Sequence, residues 1–318
     1  MTYRDFINEW KGPQPFIRAH TSGSTGQPKE IKLSKDFVAQ SAYRTIDFFG
    51  IKDEDILYSC VSPDFIGGKM MAVRALLSNA ELCWEDPSNQ PLKDLTSNRA
   101  IKLLAVVPSQ MIFLCENKDS LPHIENIIVG GSPINPSLRE MIVEAGFNAY
   151  ETYGMTETAS HIALRKIEKI STPFELLPGI TINTVEDDCL KISFPDDLEI
   201  QTNDIAELIT PKKFYIKGRR DNMIISGARK VNPLEIEDKI SKFISSPFCI
   251  VGVPDKKWGQ KVVLLIEGVD SDYPNLKTEL QKALKNWEVP KEIKFLTALP
   301  RTQNGKILRT FLKNLSSD

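Results

Sequence analysis

Between residues 31 and 150 short apolar runs alternate with helix-forming stretches, and this alternation restricts the fold more than any other feature. Ile56–Cys60, Glu81–Trp84, Leu103–Val107 and Ile127–Val129 read as strands. The stretches 35–49, 68–78, 108–116 and 136–145 read as helices, with Ser34 and Asn135 as N-caps, Pro108 at a first helical position and Gly50 as a stop. Such alternation calls for an α/β layer on a mainly parallel sheet. From about 160 to 217 the pattern shifts to short alternating segments, among them Leu190–Phe194 and Lys213–Lys217, which predict a small antiparallel β unit. Gly218-Arg219-Arg220-Asp221 interrupts it. Beyond, helices over 233–244 and 274–286 and strands over 249–253 and 261–267 predict a compact α+β domain, with a last helix over 307–316. The expected organisation is an α/β domain over 1–217, a hinge at 218–221 and a smaller domain over 222–318.

Composition narrows the partners. The 318 residues carry a formal net charge of −2, which gives no broad attraction to nucleic acid or acidic membranes. No apolar run is long enough to span a bilayer, and the first residues have no secretory character. Five scattered cysteines without C-x-x-C spacing fit reduced thiols in a cytoplasmic protein. Three widely separated histidines argue against a zinc site.

Five windows carry chemistry. The stretch from His20 to Glu30 holds four hydroxyls (Thr21, Ser22, Ser24, Thr25), two glycines (Gly23, Gly26) and Lys29. Glycines let a backbone approach a bulky anion, hydroxyls and amide N–H groups donate to it, and a lysine adds charge. That chemistry suits a loop around a polyphosphate; a plain flexible connection has the same composition. The G-x-x-x-x-G-K-[ST] phosphate loop is excluded, because Gly68-Lys69 and Gly305-Lys306 are followed by Met70 and Ile307. Tyr153-Gly154-Met155-Thr156-Glu157-Thr158 follows the predicted strand 149–152, at the carboxyl end where open α/β sheets bind ligands. Gly130-Gly131-Ser132-Pro133 also follows a strand and is either a seat for a flat ring or a tight turn. Thr202-Asn203-Asp204 offers a carboxylate for two ribose hydroxyls, or an ordinary turn. Pro300–Lys306 is a turn-rich loop presenting one lysine.

Five windows, Thr21–Lys29, Tyr153–Thr158, Thr202–Asp204, Gly218–Glu237 and Leu299–Lys306, together resemble the adenylate-forming superfamily of acyl-CoA synthetases, peptide-synthetase adenylation domains and luciferases, in the family's order and over nearly the whole chain. The resemblance implies a two-step reaction: a carboxylate attacks the α-phosphate of ATP, and the coenzyme A thiol then displaces AMP after the mobile small domain swings. Thr21–Lys29 would hold the β- and γ-phosphates. Tyr153 would stack on adenine, with Gly130, Gly131, Ser132 and Pro133 along its other side. Thr156 would contact the carboxylate or α-phosphate, and Glu157 would bind Mg2+. Asp204 and Arg219 would take the ribose hydroxyls, and Lys306 would bridge the carboxylate and α-phosphate. Asp221 would be the pivot, and Gly227 would let pantetheine pass.

Val107–Gln110, Gly154–Ser160 and the arginine six positions after a glycine in Gly68–Arg74 are most similar to the o-succinylbenzoate–CoA ligases of menaquinone biosynthesis. By that likeness Arg74 would face the carboxylate that is not activated; otherwise it is a surface residue of its helix. The same windows also suit adenylation of another aryl or acyl acid for coenzyme A or a carrier protein, or a non-catalytic nucleotide-binding module. The chain departs from the family in four places. The phosphate loop starts at residue 21, so most of the usual first subdomain is expected to be missing. Pro63–Gly68 lacks a histidine, Asn203 replaces a glycine, and Ala228 follows Gly227.

Overall fold

The computed structural model describes residues 1–21, 29–93, 95, 99–301 and 307–312. Helix α1 (Tyr3–Lys11) starts at Thr2, whose hydroxyl takes the Asp5 N–H while the Asp5 carboxylate takes the Thr2 N–H. Strands β1 (Phe16–His20) and β2 (Glu30–Ser34) pair as an antiparallel hairpin, from Phe16↔Ser34 to His20↔Glu30. Helix α2 (Lys35–Phe49) is capped by the Ser34 hydroxyl and ends at Gly50 in the left-handed conformation, as its local chemistry predicts.

The chain then alternates β3 (Ile56–Ser59), α3 (Ile66–Ser78), β4 (Glu81–Trp84), β5 (Leu103–Val106), α4 (Pro108–Glu116), β6 (Ile127–Val129), α5 (Pro136–Ala145) and β7 (Ala149–Met155). These strands are parallel, in the order β7-β6-β5-β3-β4. Both faces are covered, and the period of two shows why. Leu57, Leu103 and Ala105 pack under α2 and α3 with Phe49, Met71 and Ala75. Ile56, Tyr58, Leu104 and Val106 pack on α4 and α5 with Met111, Leu114 and Ile142. Each such aliphatic side chain contributes about 1.5–3 kcal/mol on burial.

Six further strands follow: β8 (Ser160–Lys166), β9 (Phe174–Leu176), β10 (Thr181–Val185), β11 (Cys189–Ser193), β12 (Glu199–Thr210) and β13 (Lys213–Arg219). They are antiparallel, yet they do not stand apart as a separate unit. They extend the same sheet, in the order β10-β11-β12-β13-β9-β8-β7.

A second sheet is built from β14 (Ile224–Ser226), β15 (Arg229–Val231), β16 (Phe248–Asp255), β17 (Gly259–Glu267) and β18 (Glu292–Leu296), with helices α6 (Pro233–Ile240), α7 (Leu276–Ala283) and α8 (Arg309–Leu312). Ile250, Val262, Leu264 and Ile266 meet α6 and α7 on one face. Val251, Val263 and Leu265 meet Leu299 and Leu312 on the other. β18 pairs parallel to β17, which the sequence did not announce. The expected helix 307–316 is seen only as α8: Ile307 forms a bridge to Arg301 and Leu308 is not helical, while residues 313–316 lie outside the described residues. All five cysteines are free, and no described helix is long and apolar enough to cross a membrane.

Candidate active site

Thr21 and Lys29 close the neck of the β1–β2 loop. The Thr21 N–H donates to the Lys29 carbonyl at 3.0 Å, and the Lys29 N–H donates to Thr21 Oγ1 at 3.3 Å. Ser22, Gly23, Ser24, Thr25 and Gly26 lie outside the described residues, as does Lys306. The neck meets the second motif directly: Thr156 Oγ1 donates to the His20 carbonyl at 3.3 Å.

That second motif begins inside β7, which runs on through Met155. The strand continues because Gly154 sits at a bulge against β8, where a Cβ would collide with the Ser160 carbonyl and His161 Cα. The turn that follows is organised by Thr158, fully buried, whose hydroxyl takes the Met155 N–H at 2.9 Å and donates to the Ser160 carbonyl at 2.6 Å. Thr156 and half-buried Glu157 are thereby held on a fixed turn.

Gly130 lies beside this strand end. A Cβ at Gly130 would stand 2.8 Å from Thr152 Oγ1, and the Gly130 N–H donates to the Val106 carbonyl. Gly131 has φ +96°, a conformation that favours glycine. Ser132 and Pro133 lead to Ile134, whose N–H is taken by the buried Glu151 carboxylate. Glu151 also receives Arg165 Nε at 2.8 Å, so this segment is clamped by a buried ion pair.

Tyr153 lies with its ring against Phe174 and Phe214 and donates its hydroxyl to Asp204 Oδ2 at 2.7 Å. Burial first, and the Asp204 carboxylate second, raise its pKa well above the usual value, so it stays a neutral donor. Asp204 faces Arg219 across the β12–β13 pair and accepts Arg219 Nη1 at 3.0 Å. Arg219 binds Asp221 with its other two nitrogens. Hydrogen bonding to Asp221, with the charges of Asp204 and Asp221 behind it, raises the guanidinium pKa further.

Gly227, with Ala228, forms the β14–β15 turn, both at positive φ. Its N–H donates to the Trp258 carbonyl at 2.9 Å, and a Cβ there would press on the Trp258 ring. Among the described residues two polar contacts join this part to the first: Lys230 Nζ to Asp187, in the turn between β10 and β11, at 2.9 Å, and Asn232 Nδ2 to the Lys217 carbonyl of β13 at 2.6 Å.

Arg74 is not a surface residue of α3. It is 1% exposed, and its Nε and Nη2 have no hydrogen-bond partner among the described residues. Desolvation lowers its pKa to about 9, which leaves it cationic at neutral pH. Beside it lies a residue that motif reading missed. His161 is equally enclosed, bonded through Nε2 to Thr45 Oγ1 at 2.9 Å, and held neutral by burial and by the Arg74 charge. Nothing in the sequence joins His161 to Thr45, which is 116 positions away.

The geometry thus brings together a hydroxyl-rich loop neck, a turn carrying Thr156 and Glu157, a glycine-lined strand end and an Asp–Arg pair. Comparison with known proteins gives this arrangement a class. Residues 8–191 match the AMP-binding enzyme model and residues 247–306 match the AMP-binding enzyme C-terminal domain. The 2-succinylbenzoate–CoA ligase of Listeria monocytogenes is 28% identical, over 98% of this chain and 73% of that protein. A crystal structure of an acyl-CoA synthetase (AMP-forming)/AMP-acid ligase II-like protein from Dyadobacter fermentans is 33% identical, with a TM-score of 0.62, over 98% of this chain and 93% of that one. The o-succinylbenzoate CoA synthetase of Bacillus subtilis, solved with its acyl-adenylate intermediate, shares the fold at a TM-score of 0.82 and 22% identity, over 93% of this chain and 68% of that one. The same enzyme has been solved with ATP and a magnesium ion. The chain belongs to the AMP-binding enzyme family. It is an adenylate-forming, AMP-releasing acid–thiol ligase.

Proposed function

We propose that this ligase converts o-succinylbenzoate to o-succinylbenzoyl-CoA through an acyl-adenylate, in the cytoplasm. The observation that carries the substrate is Arg74: a fully buried guanidinium with two nitrogens unpartnered among the described residues. Leaving such a charge unpaired costs several kcal/mol, and a fixed guanidinium suits the second carboxylate of a dianionic acid. The resemblance to 2-succinylbenzoate–CoA ligases supports the same acid.

ATP would enter across the first sheet. Lys29 and the Thr21–Gly26 hydroxyls and amides take the β- and γ-phosphates. Adenine lies between Tyr153 and the Gly130–Pro133 segment. A carboxylate offers about four acceptor sites, so Asp204 still has capacity for ribose hydroxyls beside its bonds to Tyr153 and Arg219. Among the described residues no three His, Cys, Asp or Glu side chains gather as a metal cage. Mg2+ fits the alternative, one carboxylate from Glu157 completed by phosphate oxygens, and when bound it would neutralise phosphate charge. Thr156 orients the attacking carboxylate, and Lys306 supplies the positive charge between it and the α-phosphate. In-line displacement at phosphorus needs alignment and charge more than covalent help. Rotation about Asp221 then exchanges Lys306 for the Gly227 turn, which lets the pantetheine thiol reach the adenylate.

The deciding measurement is pyrophosphate release across a panel of aromatic and aliphatic acids, with and without coenzyme A. Release that is strongest with o-succinylbenzoate, with the CoA thioester as product, is expected. A clear preference for a monocarboxylic acid overturns the substrate.

A further inference from the structure

The Arg74 niche is not made by Arg74 alone. Helix α2, helix α3 and strand β8 each give it a polar side chain, all buried: Thr45 at 0%, Arg74 at 1% and His161 at 4% exposure. Among the described residues the Arg74 side chain donates only a long contact, Nη1 to Met71 Sδ at 3.7 Å. No acidic side chain among them is bonded to it, and burial is the cause of its lowered pKa. His161 is fixed by Thr45, whose second contact, to the Ser41 carbonyl at 3.5 Å, is too long to compete with the 2.9 Å bond to the ring. A neutral imidazole beside an uncompensated guanidinium has no role in holding the core that an apolar side chain would not fill better. β8 leads out of the turn carrying Thr156 and Glu157, so His161 stands four residues beyond the candidate magnesium ligand.

We propose that His161 is a specificity-determining residue: with Arg74, and positioned by Thr45, it forms a closed polar niche that takes the carboxylate a dicarboxylic substrate does not activate. The proposal rests on the reading of Arg74 given above. With the Thr45 hydroxyl donated to Nε2, the ring proton sits on Nδ1, where it can be given to a carboxylate oxygen alongside the guanidinium. A niche built to hydrogen-bond a polar group rejects an analogue lacking it, because its own donors are then left unpaired. The niche therefore selects diacids over monoacids of the same shape.

The test compares o-succinylbenzoate with its two single-carboxylate relatives, 3-benzoylpropionate and 2-butanoylbenzoate, in adenylation by the whole enzyme. His161→Leu is expected to raise KM for the diacid at least tenfold while KM for ATP and for the accepted monoacid stays within twofold. His161→Gln, which keeps a hydrogen bond to Thr45 and a donor, is expected to restore the diacid KM to within about threefold of wild type. An equal loss for diacid and monoacid, or no change for either, overturns the role of His161. Should His161→Leu fail to fold, Thr45→Val decides the matter: it releases the ring and should raise the diacid KM selectively. Arg74→Leu run in parallel separates the two claims. If it leaves the diacid preference intact, the reading of Arg74 fails; if it abolishes the preference while His161→Leu does not, only His161 is excluded.

Discussion

Arg219 grips Asp221 at two points, Nε to Oδ1 at 2.9 Å and Nη2 to Oδ2 at 2.8 Å, while its Nη1 reaches Asp204 at 3.0 Å. One guanidinium thus ties the residue that precedes the second sheet to the carboxylate proposed for ribose. A partly exposed pair of this kind contributes about 1 kcal/mol or less to stability. Asp221→Ala should accordingly fold normally, keep ATP–pyrophosphate exchange within about threefold, and slow thioester formation roughly tenfold. Half-reactions assayed separately check this; an equal decline in both removes Asp221 from the pivot.

Lys306→Ala should abolish adenylation while thioester formation from supplied acyl-adenylate largely survives. Loss of one preorganised charge costs about 2–4 kcal/mol in the transition state. Equal loss in the two steps contradicts the assignment.

Arg74→Met replaces an uncompensated buried cation with an apolar chain of similar length. Such exchanges are commonly neutral or stabilising. The free variant should melt at or above the wild-type Tm, yet show a much higher KM for o-succinylbenzoate than for ATP. A strong drop in Tm places the guanidinium in a structural role instead.

Acid sensitivity follows from His161. Its folded pKa lies well below the usual 6.5, so below that pH the unfolded chain binds a proton that the folded chain refuses. Its contribution is present above pH about 6.5 and is lost as pH falls, at up to about 1.4 kcal/mol per pH unit. Urea unfolding at pH 7, 6 and 5 should show a shallower decline in His161→Gln than in wild type.

Glu237 holds Arg309 with two bonds of 2.6 Å and takes the Ile250 N–H with the same carboxylate. Glu237→Gln leaves a largely buried guanidinium poorly paired and should destabilise the second sheet by about 2 kcal/mol. Thermal unfolding checks the loss, which should come with weaker adenylation but unaltered ATP binding.

Local chemistry made much of the architecture readable. Ser34, Asn135 and Gly50 act through the nearest few backbone groups, and the period-two burial of β3 and β5 is written in consecutive residues. β18 was not readable, because each of its residues is only half-buried and its pairing with β17 is decided by the tertiary fold. The antiparallel strands were readable, but their continuity with the parallel sheet depends on the β7–β8 bulge at Gly154, which no periodicity reports. In the site, motifs supplied residue types and order, whereas contacts such as Tyr153 to Asp204 and His161 to Thr45 join positions 51 and 116 apart. Whether Arg74 was buried could not be read from the mixed face of α3. The helix is apolar nearly all round, and only its placement between α2 and the sheet settles the question.

The bridge between Arg301 and Ile307, with the Leu308 N–H on the Pro300 carbonyl at 2.8 Å, pins both ends of the segment that carries Lys306. Leu299 and Leu312, both buried, seat the chain on either side of this bridge against one face of the second sheet. The bridge is thus a clasp fastened to the sheet behind it. A residue inserted between Ile307 and Leu308 would slide the clasp out of register, and the damage should show first as a lower Tm.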